Sequence, residues 1–165
     1  MRFSRLIRHI TTTRWSTRRY FSTPVRDAIE KAIGECEALH GGEIRLVVET
    51  AFDLPELWRG LPARQRALQL FGQFGVWDTA NNNGVLIYVL MADRGVEIIA
   101  DRGISSFVGP HEWQAVCRQM EQHYRAGRFR EGSIAGIEGV GTLIGRHFPG
   151  RAASDNELPN QPVLL

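Results

Sequence analysis

The chain has 165 residues, 43% of them apolar and 23% charged, the balance of one folded domain with tails, which excludes a disordered or collagen-like chain. Its net charge of +2 is unevenly spread: residues 1 to 23 hold six arginines (Arg2, Arg5, Arg8, Arg14, Arg18, Arg19) and no acid, so the rest carries about −4. The two cysteines, Cys36 and Cys117, fall on apolar phases of predicted helices and read as buried thiols rather than a disulfide or metal pair.

At the N-terminus Phe3, Leu6, Ile7 and Ile10 recur at helical spacing among the arginines. That pattern describes an amphipathic helix on a membrane surface, and equally a mitochondrial presequence or an arm whose arginines only face water. Coulomb attraction lets such an arm meet anionic lipid, nucleic acid or an acidic protein. No aromatic stacking platform accompanies it, so no specific nucleic acid is expected, while membrane-surface contact through residues 1–22 stays open. No run approaches the roughly 18 apolar residues of a membrane span, and no uninterrupted apolar stretch marks a secretory signal. The expected location is the cytoplasm, with or without attachment at a membrane surface.

Thr23-Pro24 opens a predicted helix with Val25, Ile29, Ile33, Cys36 and Leu39 in phase, closed by Gly41-Gly42. Residues 43–50 are rich in branched side chains and predict a strand. After Pro55 and Pro62, residues 63–75 predict a crossover helix through Ala67, Leu70, Phe71 and Phe74. Gly84 to Ala92 predicts a buried strand, and Asp93-Arg94-Gly95 a tight turn into a strand over 96–100. Pro110 opens a helix with Trp113, Cys117, Met120 and Tyr124 in phase, and a last helix covers about 130–146. Its glycines 132, 136, 139, 141 and 145 cost helix propensity and predict close packing of a neighbour. The tail from Pro149 reads as extended.

A strand, crossover helix and strand make 43–50 and 84–92 parallel, and the tight turn makes 96–100 antiparallel. With Asp93 and Arg94 as the two turn residues, Ala92 pairs with Gly95 and Asp101 falls near Leu86. Asp101 then approaches Asn81-Asn82-Asn83, and Glu43 and Asp78 join the same sheet edge. Such an oxygen-rich set (Glu43, Asp78, Asn82, Asn83, Asp101) suits a hard cation, Ca²⁺ or Mg²⁺. Turns and helix caps use the same residue types, and ligands of open α/β sheets usually sit at the opposite, carboxyl ends of the strands. The five histidines show no metal spacing, and no Gly-x-Ser-x-Gly elbow is present.

Gly42-Glu43-Ile44-Arg45, Asn83-Gly84-Val85-Leu86-Ile87-Tyr88-Val89 and Val96-Glu97-Ile98-Ile99-Ala100-Asp101-Arg102-Gly103-Ile104 occur in the order found in the TPM domain family. That family is named for thylakoid lumen phosphatase-like, photosystem II repair and nematode receptor-modulator members, and the chain resembles its compact bacterial subgroup over roughly residues 24–148. The resemblance implies a three-layer α/β/α sandwich with a small mixed central sheet. It also implies the acid phosphatase activity and divalent-cation binding of some members. Asp101-Arg102-Gly103-Ile104 replaces the Gly-Tyr-Gly-Leu-Glu type sequence of many relatives, adding a carboxylate and dropping a glutamate.

The expected organisation is an Arg-rich arm over 1–22, a TPM-like domain over 23–148 and an extended tail over 149–165. The leading functional expectation is an accessory domain that binds a divalent cation and a protein partner. Its rivals are a metal-assisted acid phosphatase, with Asp101 and Asp78 holding the ion and Glu43 or Glu97 moving the proton, and an Arg-arm module for membrane or nucleic acid.

Overall fold

Two buried, branched runs nucleate the sheet of the computed structural model, which describes residues 3–148 and 156–165. Strand β1 (Glu43–Glu49) and strand β2 (Gly84–Leu90) pair in parallel from Glu43 opposite Gly84 to Glu49 opposite Leu90. Strand β3 (Gly95–Ala100) returns antiparallel on β2, and a two-residue β4 (Val163–Leu164) lies parallel on β1, giving the order β3-β2-β1-β4. The tail therefore contributes a strand, with the Leu165 amide donating to Val48 O at 2.9 Å.

Alternation divides the side chains between two cores. Ile44, Leu46, Val48, Val85, Ile87 and Val89 face α3 (Thr23–Glu37), α7 (Pro110–Arg125) and α8 (Phe129–His147), whose Ile33, Met120 and Ile137 complete that layer. Val47, Leu86, Tyr88 and Leu90 face α4 (Leu54–Trp58) and α5 (Ala63–Gln73), which supply Leu57 and Leu70. The result is the expected three-layer α/β/α sandwich with a small mixed sheet. Each Val, Leu or Ile fully removed from water contributes about 1.5–3 kcal/mol, so the wholly buried β2 is the strongest single support of the fold.

The hairpin differs from its expected register. Leu90, not Ala92, pairs with Gly95, and Met91 to Arg94 form a four-residue connection. Met91 N–H donates to Glu49 O at 2.9 Å and Ala92 N–H to Thr50 O at 3.1 Å, so both stay in the parallel ladder instead of turning into the hairpin. Arg94 takes the left-handed conformation, φ 50°, that closes the turn. A shift of two residues keeps every side chain on its face, and it moves Asp101 from Leu86 to Gly84, whose carbonyl accepts the Asp101 N–H at 2.9 Å.

Most glycines of α8 are packing devices: a methyl on Gly132, Gly136 or Gly139 would press on Tyr124, Met120 or Val116 of α7, and one on Gly141 would overlap Cys36 of α3. Three helices escaped the sequence reading, one of them α2 (Arg14–Tyr20) of the arm. In α4, Glu56 reaches back to the Asp53 N–H at 2.9 Å, a capping signal inside a proline-bearing loop; α6 (Arg102–Ser105) starts on Asp101.

The arm folds as α1 (Phe3–Thr11) and α2 (Arg14–Tyr20). Asp93 fastens α1 through Arg5 Nε at 2.9 Å and Arg8 at 3.2 Å, with His9 Nε2 3.3 Å away, while His9 Nδ1 accepts the Phe52 N–H at 3.0 Å. Burial lowers the His9 pKa, opposed by Asp93. Among the described residues, no helix is long and apolar enough to cross a membrane.

At the other edge the tail covers two buried carboxylates. Glu37 accepts the Ile44 N–H at 2.8 Å, and burial raises its pKa from 4.5 to about 7; Glu43 accepts the Leu158 N–H at 3.2 Å, and burial raises its pKa as well. A carboxyl whose folded pKa is raised stabilises the fold below its unfolded pKa and loses that contribution as pH climbs to the folded value. Unfolding free energy is therefore expected to fall between pH 4.5 and 7, by on the order of 2–3 kcal/mol from Glu37. Urea melts across this range check it: Glu37→Gln flattens the profile, and an unchanged slope contradicts the assignment.

Candidate functional site

The amino end of the parallel pair gathers most of the residues expected there. Glu43 N–H donates to Asn83 O at 3.2 Å, and Asp101 N–H to Gly84 O, so three chain segments converge beside Gly84. Asn82 adopts φ 51°, and its carbonyl accepts the Gly103 N–H at 3.0 Å. A side chain on Gly103 would overlap that carbonyl and approach Asn81 O at 2.8 Å, which is why glycine follows Arg102 at this contact. Gly84 is equally confined, since a Cβ there would overlap Val76 O.

The individual side chains have different tasks. Asp101 Oδ1 caps α6 by accepting the Arg102 N–H at 2.7 Å, while its Oδ2 is buried with no partner among the described residues. Asn83 is buried, donates from Nδ2 to Gly41 O, and leaves Oδ1 without a partner among those residues. Asn82 Oδ1 accepts from Arg102 Nε at 3.2 Å. Asp78 stands exposed on the same loop, its carboxylate free of hydrogen bonds and ion pairs among the described residues. Glu43 shares the edge through its backbone, but its carboxylate points to the tail.

Alternation turns the Asn83 side chain toward the α3 and α8 layer and the Asp101 side chain toward the α4 and α5 layer, so the two unsatisfied oxygens are separate, and each forfeits a hydrogen bond worth about 1–3 kcal/mol. At Asp101 a hard cation would be one such partner, and the Asn81 and Asn82 carbonyls against Gly103 are oxygen donors of the kind it takes. Among the described residues no group of three or more His, Cys, Asp or Glu is arranged to hold a metal, so any site here is built largely from amide and carbonyl oxygens.

The opposite end of the sheet holds a cavity of about 460 Å³ lined by His9, Glu49, Thr50, Phe52 and Arg66. Three carboxylates line it, Glu49, Asp53 and Glu56; Glu49 takes Arg66 at 2.6 Å and the Tyr88 O–H at 2.5 Å. A larger groove, about 630 Å³, runs between α3 and α8 past Cys36 and His40. His40 Nδ1 accepts the Gly42 N–H at 3.1 Å, which assigns its proton to Nε2, 3.3 Å from the Cys36 sulfur. With burial lifting the thiol to about 11, Cys36 is a packed thiol rather than a nucleophile, and burial lifts Cys117 to about 12.

The chain belongs to the TPM domain family, whose model TPM_phosphatase matches residues 17–143. Among solved structures it is similar to the BA42 protein of the psychrophilic bacterium Bizionia argentinensis, at 28% identity and TM-score 0.76, covering 87% of this chain and 94% of that one. The N-terminal domain of a P. gingivalis protein shares the fold at 20% identity and TM-score 0.61, covering 76% of each chain. The N-terminal domain of cg2496 from Corynebacterium glutamicum shares it at 16% identity and TM-score 0.55, covering 83% of this chain and 78% of that one. No curated protein matches the chain.

Gly103→Ala is expected to lower unfolding free energy by about 1–3 kcal/mol, since the obstructing atoms are backbone. Gly72→Ala, in the open on α5, is expected to gain up to about 1 kcal/mol. Thermal melts of the two variants check the contrast; equal shifts would show that the Asn82–Gly103 contact is not tight.

Proposed function

We propose that this chain is a TPM-domain accessory module that takes a divalent cation at the Asp101 edge and docks a protein partner beside it. The single observation that carries the reading is Asp101 Oδ2, buried without a partner among the described residues, two residues before Gly103, against which the Asn81 and Asn82 carbonyls are packed. Asp101 supplies the charge, the Asn81 and Asn82 backbone carbonyls supply neutral oxygens, and Asp78 lies within the same loop. A site with so few carboxylates suits weak binding of Ca²⁺ or Mg²⁺. When bound, the ion would join the Asn81–Asn83 loop to the start of α6. Trp77, exposed one residue before Asp78, gives a partner an aromatic anchor beside the ion.

Calorimetric titration of the full chain with Ca²⁺ and with Mg²⁺ tests the reading. Saturable heat is expected at millimolar ion or below, at least tenfold weaker in Asp101→Ala and unchanged in Glu43→Gln, whose carboxylate is already held by the tail. No heat, or the same isotherm after Asp101→Ala, removes the cation. Turnover of a chromogenic phosphate ester that Asp101→Ala abolishes would instead establish a metal-assisted phosphatase.

A further inference from the structure

A helix on a globular surface normally turns its apolar stripe inward, and α1 does the reverse. Arg5, Arg8 and His9, its polar side, reach Asp93, whereas Phe3, Ile7 and Ile10 are 74%, 46% and 63% exposed. Only Leu6 of its apolar residues packs on the core. In α2, Thr17 is buried with Arg14 and Arg18 exposed at its margin, while Trp15 and Arg19 stand outward, Trp15 70% exposed and the Arg19 guanidinium 5.7 Å from its ring. Arg14, Arg18 and Arg19 make no ion pair among the described residues. Both helices cover the end where the parallel strands finish, α1 through His9 on Phe52 and α2 through Arg14 and Arg18 beside Thr50 and Leu165.

The geometry points to a membrane-surface contact: Phe3, Ile7, Ile10 and Trp15 enter the interface of an anionic bilayer while Arg14, Arg18 and Arg19 meet its headgroups. Charge decides among occupants. A second copy of this surface would set arginines against arginines, because residues 1–23 contain no acid to complement them. A nucleic acid would answer the charge but leave the isoleucines and phenylalanine in water. A bilayer carrying anionic lipid satisfies both, with the aromatic ring at headgroup depth. The Asp93 clasp holds the helix with that side outward before any lipid is met, so binding needs no refolding of the arm.

Co-sedimentation of the full chain with phosphatidylcholine vesicles, with and without about 30% phosphatidylglycerol, tests this contact. The chain should pellet with the anionic vesicles only, less so as salt rises from about 50 to 200 mM. Arg14→Ser, Arg18→Ser and Arg19→Ser should each weaken binding about fivefold. Ile7→Asp with Ile10→Asp should abolish it while leaving the melting temperature unchanged, since both side chains already face solvent. The proposal is overturned if the wild type stays in the supernatant, or if the double variant still pellets. It also falls if light scattering finds a dimer that the double variant dissociates, or if duplex or single-stranded nucleic acid competes the chain off the vesicles.

Discussion

Strand β2 has to surrender all of its backbone groups to its neighbours, because every one of its seven residues is buried. That requirement locks β1 in parallel register on one side and β3 in antiparallel register on the other, and both ends of the molecule follow from it. At the amino end it delivers Asn83 and Asp101 to either side of Gly84. At the carboxyl end it holds Met91 and Ala92 in the ladder with Glu49 and Thr50, which pushes Asp93 out as the tip of the hairpin connection. One strand thus places the oxygen-rich edge and the carboxylate that fastens the arm.

Those two features lie at opposite ends of a seven-residue strand, roughly 20 Å apart. A chain attached through α1 and α2 would accordingly present the Asn81–Asn83 loop, with Trp77 and Asp101, toward solution. The tail works on a third surface. It adds β4 to the open side of β1, donates backbone N–H groups to Glu43, and sends the Glu157 carboxylate to the Ala80 N–H at 2.9 Å, so it braces the loop that carries Asp78. Tail docking and the loop are in this way parts of one hydrogen-bonded assembly, and the buried Glu37 and Glu43 beneath it make that assembly sensitive to pH.

Much of the fold was legible because burial leaves a simple trace. The runs Ile44–Val48 and Val85–Leu90 could only be buried strands once a helix of four turns or fewer separated them, and the phases of Ile29–Ile33 and Trp113–Tyr124 identified the covering faces. Gly132, Gly136, Gly139 and Gly141 of α8 read correctly as close packing, whereas Gly145 has open space where its side chain would be. The four-residue hairpin connection was not legible, since Asp93-Arg94-Gly95 offers good turn chemistry and the competing pull comes from Glu49 and Thr50, more than forty residues away. The site was legible in part. Asn82, Asn83 and Asp101 share an edge because the antiparallel return of β3 on β2 requires it, but nothing local announced that Leu158 would claim the Glu43 carboxylate. The clasp on Asp93 left a readable sign in Arg5, Arg8 and His9, which share one side of α1 opposite Phe3 and Ile7, although its target was not readable. Long-range partners, rather than local preferences, account for each of these gaps.

The claim that joins these observations is that the oxygen-rich edge is a cation site at the end of the sheet away from the arm. Paramagnetic broadening of the amide spectrum by Mn²⁺, an ion of the same oxygen-ligand class, reads that position directly. The account predicts the strongest broadening at Asn81 to Asn83 and Asp101 to Gly103, the weakest at α1 and α2, and loss of the effect in Asp101→Ala. Broadening centred on Glu49, Asp53 and Glu56, or spread evenly over exposed carboxylates and indifferent to Asp101, would contradict it.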